Sequence, residues 1–338
     1  MNWNMQRIVI VLVAVAAVVL LVWALQNNQD QPTPQPESTD PSRPAPNGTA
    51  TAEPTVTPTT QAVEPPQPVH LPDDDAAAVD AYRRGLELLA DKQWLAARET
   101  LSAALLSGHL SGARAEDARE QLEELADKTI FSRSVYDDDP YTFRYQVKAG
   151  DMLNQIERHF KLHTPIELIL RINRMSDARK LKARQRLKLV RGPFHAVVNK
   201  HTLIMDLYLH REGLSPVYVR QLPVGLGRDD GTPAGLWRIR HGEKGRRVAW
   251  YPPPSSGLKG RIDWGEPGYA FGEKGIWLPL EGIDETTEGL VGYGIHSTNN
   301  PLSVGQTVSL GCIRLLDDDI ELVYALLYEK WSTVRVTR

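Results

Sequence analysis

The run Ser309-Leu310-Gly311-Cys312-Ile313-Arg314 holds the single cysteine of this 338-residue chain. His296 lies sixteen residues upstream, within Gly294-Ile295-His296-Ser297-Thr298. A lone cysteine has no intramolecular disulfide partner, so its role is either packing or chemistry. A free thiol is mostly protonated near neutral pH, so a catalytic cysteine needs a base or a cation nearby. A histidine on a neighbouring strand would meet that need, and a buried structural cysteine is the alternative.

The residues around this pair resemble the L,D-transpeptidase (YkuD) family over about residues 195–336. The chain matches the family signature without a gap at His296, Thr298, Pro301, Gly305, Ser309, Gly311, Cys312, Ile313, Arg314 and Asp319. Two positions depart from it. Ser297 stands where glycine is usual, and Leu310 stands where many members carry a second histidine. The resemblance therefore implies a cysteine nucleophile served by one histidine.

The family resemblance implies a role for each matching residue. Cys312 is the expected nucleophile and His296 the expected general base, with Ser297 orienting the imidazole. The backbone N–H groups of Gly311 and Cys312 are the expected oxyanion donors. Substrate contacts are expected from Tyr293, Thr298, Ser309 and Arg314. For Arg314 the alternative is a structural ion pair with Asp317, Asp318 or Asp319.

The C-terminal part of the chain, residues 194–338, is predicted to be a mainly β catalytic domain. Short apolar or alternating runs predict strands at Phe194–Val198, Leu203–Leu209 and Val217–Val224. Asp229-Asp230-Gly231-Thr232-Pro233 is typical of a turn. One helix is predicted over Asp319–Lys330, with an apolar face of Ile320, Val323, Tyr324, Leu327 and Trp331.

Residues 143–191 resemble a LysM domain, a small α+β unit with strand–helix–helix–strand order. The opening run Tyr145–Leu153 and the closing run Leu181–Leu189 flank two short helical patterns. The resemblance implies binding of peptidoglycan glycan strands, with Gly150, Asp151 and Asn173 as the glycan-binding residues. Retention of the module for packing alone is the alternative. Its many Lys and Arg residues favour an anionic wall polymer over nucleic acid, given the location inferred below.

Residues 73–130 are predicted to be helical. Apolar residues recur at helical spacing before and after a turn at Asp91-Lys92-Gln93, and Ala115–Leu125 predicts a third helix. The pattern resembles a tetratricopeptide helical hairpin, although one unit is too small for a solenoid. The segment is interpreted either as a contact site for a protein partner or as a spacer packed on its neighbour.

The N-terminus predicts the compartment. Ile8–Leu25 is an uncharged apolar run of 18 residues, which as a helix spans about 27 Å, close to the bilayer's hydrocarbon thickness. Residues 1–26 are therefore predicted to be a single-pass anchor in the cytoplasmic membrane, with a cleaved signal peptide as the alternative. Arg7 precedes the run and no basic residue follows before Arg43, which places the later domains in the periplasm or cell-wall space.

Residues 27–72 are predicted to be a disordered linker, because they hold half of the chain's 24 prolines and few aliphatic residues. The sequence thus predicts a multidomain peptidoglycan L,D-transpeptidase. A non-catalytic wall tether, an L,D-carboxypeptidase and a protein-to-wall attachment enzyme are the alternatives. A papain-like hydrolase is disfavoured because its cysteine precedes its histidine. No cofactor or metal is expected, since the remaining histidines are spaced irregularly.

Overall fold

The computed structural model describes residues 75–253 and 256–338. These residues belong to one compact unit. The predicted membrane anchor and the predicted linker lie outside them. Across the two described ranges, no helix is long and apolar enough to cross a membrane.

Three helices open the described chain, as the sequence predicts. They are α1 Ala76–Ala90, α2 Trp94–Leu106 and α3 Gly112–Ala126, followed by a π-helical turn at Asp127–Phe131. Asp75 caps α1, because its carboxylate accepts a 2.8 Å hydrogen bond from the Ala77 N–H. A Cβ at Gly85 would lie 2.5 Å from the Leu101 side chain, so glycine there allows α1 and α2 to pack closely.

The next unit has the predicted strand–helix–helix–strand order. Its elements are β1 Thr142–Gln146, α4 Leu153–Phe160, α5 Ile166–Ile172 and β2 Arg186–Val190, with a 3-10 turn at Ala178–Lys180. The strands β1 and β2 pair antiparallel, with Thr142 opposite Val190 and Gln146 opposite Arg186. A small core lies between this sheet and the helices, formed by Val147, Leu153, Ile156, Leu162, Ile169, Leu187 and Leu189.

The C-terminal domain is mainly β, and its first three strands confirm the predicted ones. Its strands are β3 Phe194–Asn199, β4 Ile204–Leu209, β5 Val217–Pro223, β6 Leu226–Gly227, β7 Gly235–Ile239, β8 Gly245–Arg246, β9 Ile276–Gly282, β10 Gly294–Ser297, β11 Thr307–Ser309, β12 Ile313–Leu315 and β13 Thr333–Thr337. The main sheet has the order β12-β10-β9-β7-β13-β3-β4-β5, with β8 also paired to β9. The short strands β6 and β11 pair separately, in parallel.

The helix of this domain, α6, spans Asp317–Leu326, so the predicted end at Lys330 is wrong. Leu327 already has extended backbone angles. The Ser332 hydroxyl accepts a 2.7 Å hydrogen bond from the Tyr328 N–H, which fixes the chain in a turn instead of a further helical turn. Trp331 therefore does not belong to the helix face. It is 48% exposed and stacks on the ring of His163, with centroids 3.7 Å apart.

The helical segment packs on β5, the edge strand of the main sheet. Tyr218 of β5 is buried in one apolar cluster with Ala97, Leu101, Leu105, Leu110, Ala115, Ala118, Leu122 and Leu125. Helix side chains also reach the backbone of the strand. Ser102 Oγ accepts from the Tyr218 N–H at 3.1 Å, and Glu123 Oε1 accepts from the Gln221 N–H at 3.0 Å. The apolar face proposed for a protein partner is thus used within the chain, as the spacer interpretation expects.

A buried polar network joins the helical segment to the strand–helix–helix–strand unit. Arg98 and Asp139 form an ion pair of 3.0 Å, and both side chains are 0% exposed. Arg98 also donates to Thr129 Oγ1 at 3.0 Å. The Lys188 ammonium of β2 donates to the carbonyls of Thr129 and Ser134 at 2.6 and 2.7 Å. We call this network, Arg98, Thr129, Ser134, Asp139 and Lys188, the junction.

Candidate active site

His296 and Cys312, which the sequence pairs, lie at two neighbouring strands. The strands β10 and β12 run parallel, with His296 opposite Arg314, and Cys312 immediately precedes β12. The expectation of a histidine on a strand beside the cysteine is therefore confirmed. Because side chains alternate along a strand, Cys312 and Arg314 project to the same side of β12.

A cavity of about 500 Å³ opens over these strand ends. The predicted site residues that line it are Tyr293, His296, Ser309, Gly311, Cys312 and Arg314. Aromatic residues form much of the remaining wall, including Trp250, Phe271 and Trp277. Ser297 and Thr298 are buried and do not line the cavity.

His296 is held as a neutral imidazole with one nitrogen available. Its Nδ1 lies 2.6 Å from the Ser297 carbonyl oxygen. A carbonyl only accepts hydrogen bonds, so Nδ1 carries the proton and Nε2 is left as the acceptor. Burial above all lowers the pKa of His296 to about 4; the positive charge of Arg314 acts in the same direction, and the hydrogen bond to the Ser297 carbonyl acts against both. The imidazole is therefore unprotonated, and available as a base, at neutral pH.

The imidazole packs among aromatic rings that the sequence analysis did not identify. The Phe271 centroid lies 4.7 Å from that of His296, and the Trp277 centroid lies 6.0 Å away. Phe271 and Trp277 stack on each other at 4.9 Å. These rings exclude water from the histidine, which explains the depressed pKa. The density of aromatic residues between positions 250 and 277 was the available sequence signal.

Ser297 orients His296 through its carbonyl and not through its hydroxyl. The Ser297 hydroxyl donates to the Phe271 carbonyl at 2.5 Å and is fully buried. The serine that departs from the family pattern thus ties β10 to the segment that carries the aromatic wall. Its backbone fixes the imidazole tautomer, and its side chain positions Phe271.

The Cys312 thiol is protonated in this structure's environment. Cys312 is half-buried, and its Sγ lies 3.6 Å from the Gly292 carbonyl oxygen. Burial raises the pKa of the Cys312 thiol to about 11, although the Gly294 backbone and the Arg314 charge act in the opposite direction. With His296 neutral as well, both groups that line the cavity are uncharged at neutral pH.

The loop that carries the cysteine is held by Ser309, which is 1% exposed. The Ser309 hydroxyl donates to the Cys312 carbonyl at 2.7 Å and accepts from the Gly311 N–H at 3.1 Å. A backbone N–H has one hydrogen, so the Gly311 N–H is already occupied. The Gly311 N–H therefore donates within its own loop in this structure, and its role as an oxyanion donor stays a prediction. Ser309 positions the loop, which leaves no free hydroxyl hydrogen for the predicted substrate contact.

Thr232 clamps the same loop from the opposite side. It is 3% exposed, and its hydroxyl donates to the Gly311 carbonyl at 2.9 Å while it accepts from the Gly227 N–H at 2.8 Å. Gly311 has a φ of 135°, and a Cβ there would lie 2.9 Å from both the Gly231 oxygen and Tyr293 Cε1. The sequence predicted a turn at residues 229–233 and assigned no role to Thr232, whereas the structure gives Thr232 a direct role in positioning the cysteine loop.

Thr298 is placed in the hydrogen bonds of its own loop. Its Oγ1 accepts from the Asn300 N–H at 3.1 Å and lies 3.3 Å from Ser303 Oγ. The side chain is buried away from the cavity, so its position does not support the predicted substrate contact.

Arg314 has no acidic partner among residues 75–253 and 256–338. Its buried Nε also has no hydrogen-bond partner within those ranges. The alternative ion pair with Asp317, Asp318 or Asp319 is therefore not formed. A half-buried guanidinium that lines a cavity without a counter-ion is suited to bind an anionic group of a ligand. Across the same two ranges, no cluster of His, Cys, Asp and Glu could hold a metal ion.

The family of the domain follows from a sequence comparison. The family model for the L,D-transpeptidase catalytic domain, YkuD, matches residues 193–336. This part of the chain is an L,D-transpeptidase catalytic domain. The family model for the LysM domain matches residues 145–190. Both matches agree with the predicted domains, 194–338 and 143–191, to within two residues at each end.

Two Bacillus subtilis proteins and one solved structure are similar to parts of this chain. A Bacillus subtilis protein named as the L,D-transpeptidase YkuD is 29% identical over 184 residues, 52% of this chain and 88% of that protein. Another from Bacillus subtilis, named as the L,D-transpeptidase YqjB, is 40% identical over 130 residues, 38% of this chain and 63% of that protein. A solved L,D-transpeptidase from Mycobacterium smegmatis is 14% identical, with 47% of this chain and 76% of that chain covered and a TM-score of 0.31.

In the LysM domain, Gly150 and Asp151 form the turn that follows β1. Gly150 has a φ of 86°, which favours glycine. Asp151 Oδ2 accepts from the Tyr145 hydroxyl and from the Lys148 N–H, each at 2.7 Å. These hydrogen bonds lower the pKa of the Asp151 carboxyl, that from Tyr145 most. Asp151 therefore shapes the turn as a carboxylate, and its contact with glycan stays a prediction.

Asn173 of the LysM domain ties α5 to β2. Its amide nitrogen donates to the carbonyls of Ile169 and Lys188, both at 2.8 Å. Its amide oxygen accepts from the Lys188 N–H at 2.8 Å. With the side chain buried and both amide atoms engaged internally, the residue holds the sheet and helix together. A glycan contact by Asn173 would have to use its remaining lone pair.

Proposed function

We propose that the chain is a peptidoglycan L,D-transpeptidase that works through a Cys312 thioester. The observation that carries the proposal is one cavity lined by the only cysteine, a neutral histidine with a free Nε2 and an arginine with no acidic partner in the described ranges. These are a nucleophile, a base and an anion-binding group for acyl transfer.

The first step forms the acyl-enzyme. His296 Nε2 takes the proton of the Cys312 thiol as the sulfur attacks the carbonyl carbon between the third residue and the terminal D-alanine of a tetrapeptide stem. The tetrahedral intermediate collapses, the C–N bond breaks, and His296 returns the proton to the departing D-alanine amine. A thioester between Cys312 and the third residue remains. Because burial raises the thiol pKa, the thiolate is scarce at neutral pH and the cysteine needs the base.

The oxyanion of that intermediate needs a donor. Since the Gly311 N–H is bonded to Ser309, we assign this role to the Cys312 N–H. Ser309 and Thr232 hold the two ends of the Gly311–Cys312 segment, and so preorganise that N–H.

Arg314 is assigned to a carboxylate of the donor stem. It lines the cavity with Cys312, and its planar guanidinium can donate two parallel hydrogen bonds to a carboxylate. In the same step its charge stabilises the developing thiolate, because a nearby cation lowers the pKa of Cys312.

The second step transfers the acyl group. The side-chain amine of a diamino acid in another stem attacks the thioester, His296 takes its proton, and the thiol is released protonated. Water in place of the amine would make the chain an L,D-carboxypeptidase, and a protein amine would make it a protein-attachment enzyme. A non-catalytic tether would not require the ordered cysteine loop and the free Nε2.

The test is mass spectrometry of muropeptides after purified sacculi are incubated with the full chain. Joined third residues with release of D-alanine are expected, and the Cys312→Ala chain should leave the muropeptides unchanged. Shortened stems without cross-links would identify the carboxypeptidase. An unchanged muropeptide profile with sacculi still bound would identify the tether.

We also propose that residues 1–26 anchor the chain in the cytoplasmic membrane, with the catalytic domain in the periplasm or wall space. The support is the apolar run Ile8–Leu25 and the asymmetry of basic residues around it. Fractionation of the producing cells should recover the full-length chain with membranes, and externally added protease should digest it in spheroplasts. A shortened soluble chain would instead identify a cleaved signal peptide.

A further inference from the structure

One face of the LysM sheet carries an unusual concentration of positive charge. In the antiparallel pairing of β1 with β2, Arg144 lies opposite Lys188, and Gln146 lies opposite Arg186. Directly opposed residues project to the same face, and residues two apart along a strand share that face. Arg144, Lys188 and Arg186 therefore project together, away from the apolar core on the other face.

This charged face is not open to solvent over its whole area. The connector after the π-helical turn lies over it, because the Lys188 ammonium binds the carbonyls of Thr129 and Ser134. A cavity of about 420 Å³ remains between connector and sheet. Arg133 of the connector joins Arg144, Arg186 and Lys188 in lining it.

The arginines that line this cavity have no counter-ion within the described part of the chain. The four cations occur without any Asp or Glu among the lining residues. The three arginines are exposed, and they form no ion pair within residues 75–253 and 256–338. Like charges on directly opposed strand positions destabilise a sheet. Arg144 and Arg186 lie on one face of the sheet, in residue pairs two positions apart along the strands, together with Lys188. They are therefore suited to bind an anion from outside the chain.

We propose that this cavity is a second peptidoglycan site, in which Arg144 and Arg186, with Arg133, bind the carboxylates of a stem peptide. The proposal rests on the proposed function, which makes peptidoglycan the polymer that the chain meets. Guanidinium groups match carboxylates in shape and charge, and bind them by paired hydrogen bonds. The site lies on the sheet of the module whose family resemblance implies glycan binding, so carboxylates that branch from a bound glycan strand are its natural occupants.

The junction connects this site to the catalytic domain through the helical segment. The LysM domain is joined to the helical segment by buried contacts, and that segment packs on β5 of the catalytic domain. A stem held at the Arg144 face is therefore held at a fixed distance and direction from Cys312. We infer that the site selects which stems of the wall reach the catalytic cavity.

The test compares binding of full-length chains to purified sacculi by co-sedimentation. Arg144→Gln with Arg186→Gln should weaken binding about tenfold, since two charge-assisted contacts are lost. The matched control is Arg84→Gln with Lys92→Gln, which removes two exposed positive charges from the helical segment and should change binding less than twofold. Arg144→Lys with Arg186→Lys keeps the charge but removes the paired hydrogen bonds, and should fall between the two.

The source of the anion is tested by modifying the sacculi. When their carboxylates are amidated, the difference between the wild-type chain and the Arg144→Gln, Arg186→Gln chain should disappear. If that difference instead survives amidation and disappears when phosphate-bearing polymers are removed, the occupant is a phosphate polymer and the proposal is overturned. Equal binding by the Arg144→Gln, Arg186→Gln chain and its control would also overturn it.

Failure of this proposal is distinguishable from failure of the proposed function. Turnover of a soluble tetrapeptide by the wild-type chain reports on Cys312 without any wall polymer. If the wild-type chain turns over the tetrapeptide but the Arg144→Gln, Arg186→Gln chain and its control bind sacculi equally, only the second-site proposal fails. If these two chains differ in binding but the wild-type chain does not turn over the tetrapeptide, only the catalytic proposal fails. Far-UV circular dichroism and thermal melts of each variant establish that all the chains compared are folded.

Discussion

Two polar regions of this molecule bury an arginine, and they do so in opposite ways. At the junction, Arg98 is fully enclosed, and it has Asp139 and Thr129 as partners. In the catalytic cavity, Arg314 is half-buried and forms no ion pair within the described ranges. A buried charge is stable only when it is paired, so the paired arginine fits a structural role and the unpaired one fits a ligand.

The same contrast holds for the other titratable groups. Burial lowers the pKa of Lys188 to about 8, yet two carbonyls accept its hydrogens and hold it in place. In the cavity, burial drives the pKa of His296 down and that of Cys312 up, so both are neutral. The junction pairs its arginine with a carboxylate and holds its lysine in hydrogen bonds. The cavity instead keeps a neutral thiol and a neutral imidazole.

The sharpest test of the contrast is Cys312→Ala. We expect complete loss of turnover with sacculi, because no other thiol exists in the chain. The family resemblance implies that a thioester-forming thiol also traps a carbapenem, so a mass adduct is expected on the wild-type chain and not on Cys312→Ala. Stability should change by less than about 1 kcal/mol, since a half-buried thiol contributes little packing. Intact-mass spectrometry and urea unfolding measure the two effects. Turnover at the wild-type rate would remove Cys312 from the mechanism.

The next largest effect is expected for His296→Ala. Loss of a general base should lower kcat by roughly 10²- to 10⁴-fold. The wild-type rate should be nearly independent of pH between the pKa values of His296, about 4, and Cys312, about 11. Without the imidazole the rate should rise with pH, following the thiolate fraction.

Alkylation of Cys312 by iodoacetamide across pH provides an independent readout of the same change. The midpoint should lie at lower pH in the wild-type chain than in His296→Ala, because the imidazole assists thiol deprotonation. Superimposable profiles would show that His296 does not act on Cys312.

At the junction, Arg98→Met should act on stability and leave the chemistry intact. It leaves the fully buried Asp139 carboxylate without its ion-pair partner, so the free energy of unfolding should fall by about 3–5 kcal/mol. Arg98→Met with Asp139→Leu removes both charges and should recover part of the loss. Denaturant unfolding measures both. A single variant as stable as the wild-type chain would show that the pair is not structural.

The smallest effect is expected for Thr232→Val, which keeps the side-chain shape and removes the hydroxyl. One hydrogen bond to the cysteine loop and one from the Gly227 N–H are lost, so stability should fall by about 1–2 kcal/mol. The kcat should fall while the KM changes little, because the loop positions the nucleophile. Thr232→Ser retains the hydroxyl and should behave like the wild-type chain. Equal kcat in the valine and serine variants would exclude the clamp.

The sequence was sufficient to predict the domains and to pair His296 with Cys312, because the signals for both are local. Periodicity predicted β3, β4 and β5, and the spacing of His296 and Cys312 matched one family signature. The end of α6 was misplaced because Leu327 continues the apolar pattern, while a hydrogen bond from the Tyr328 N–H to the Ser332 hydroxyl stops the helix. The spacing of apolar residues does not predict a hydrogen bond between a backbone N–H and a side chain.

The finer roles in the cavity depended on contacts between distant segments. Gly311 and Ser309 are two residues apart, yet only the structure shows that the hydroxyl of one occupies the N–H of the other. Thr232 reaches Gly311 across 79 positions, and Phe271 reaches His296 through a fold that brings separate loops together. Residue types can suggest donors and acceptors, but their pairing is decided by tertiary structure.

The helices against β5 have a consequence for how the protein behaves in concentrated solution. An edge strand offers free N–H groups to which a strand of another molecule can add. Here Ser102 and Glu123 occupy the N–H groups of Tyr218 and Gln221, and an apolar face covers the strand. The helical segment thus blocks edge-to-edge aggregation of the main sheet. A chain shortened to begin after residue 131 would expose that edge and is expected to aggregate.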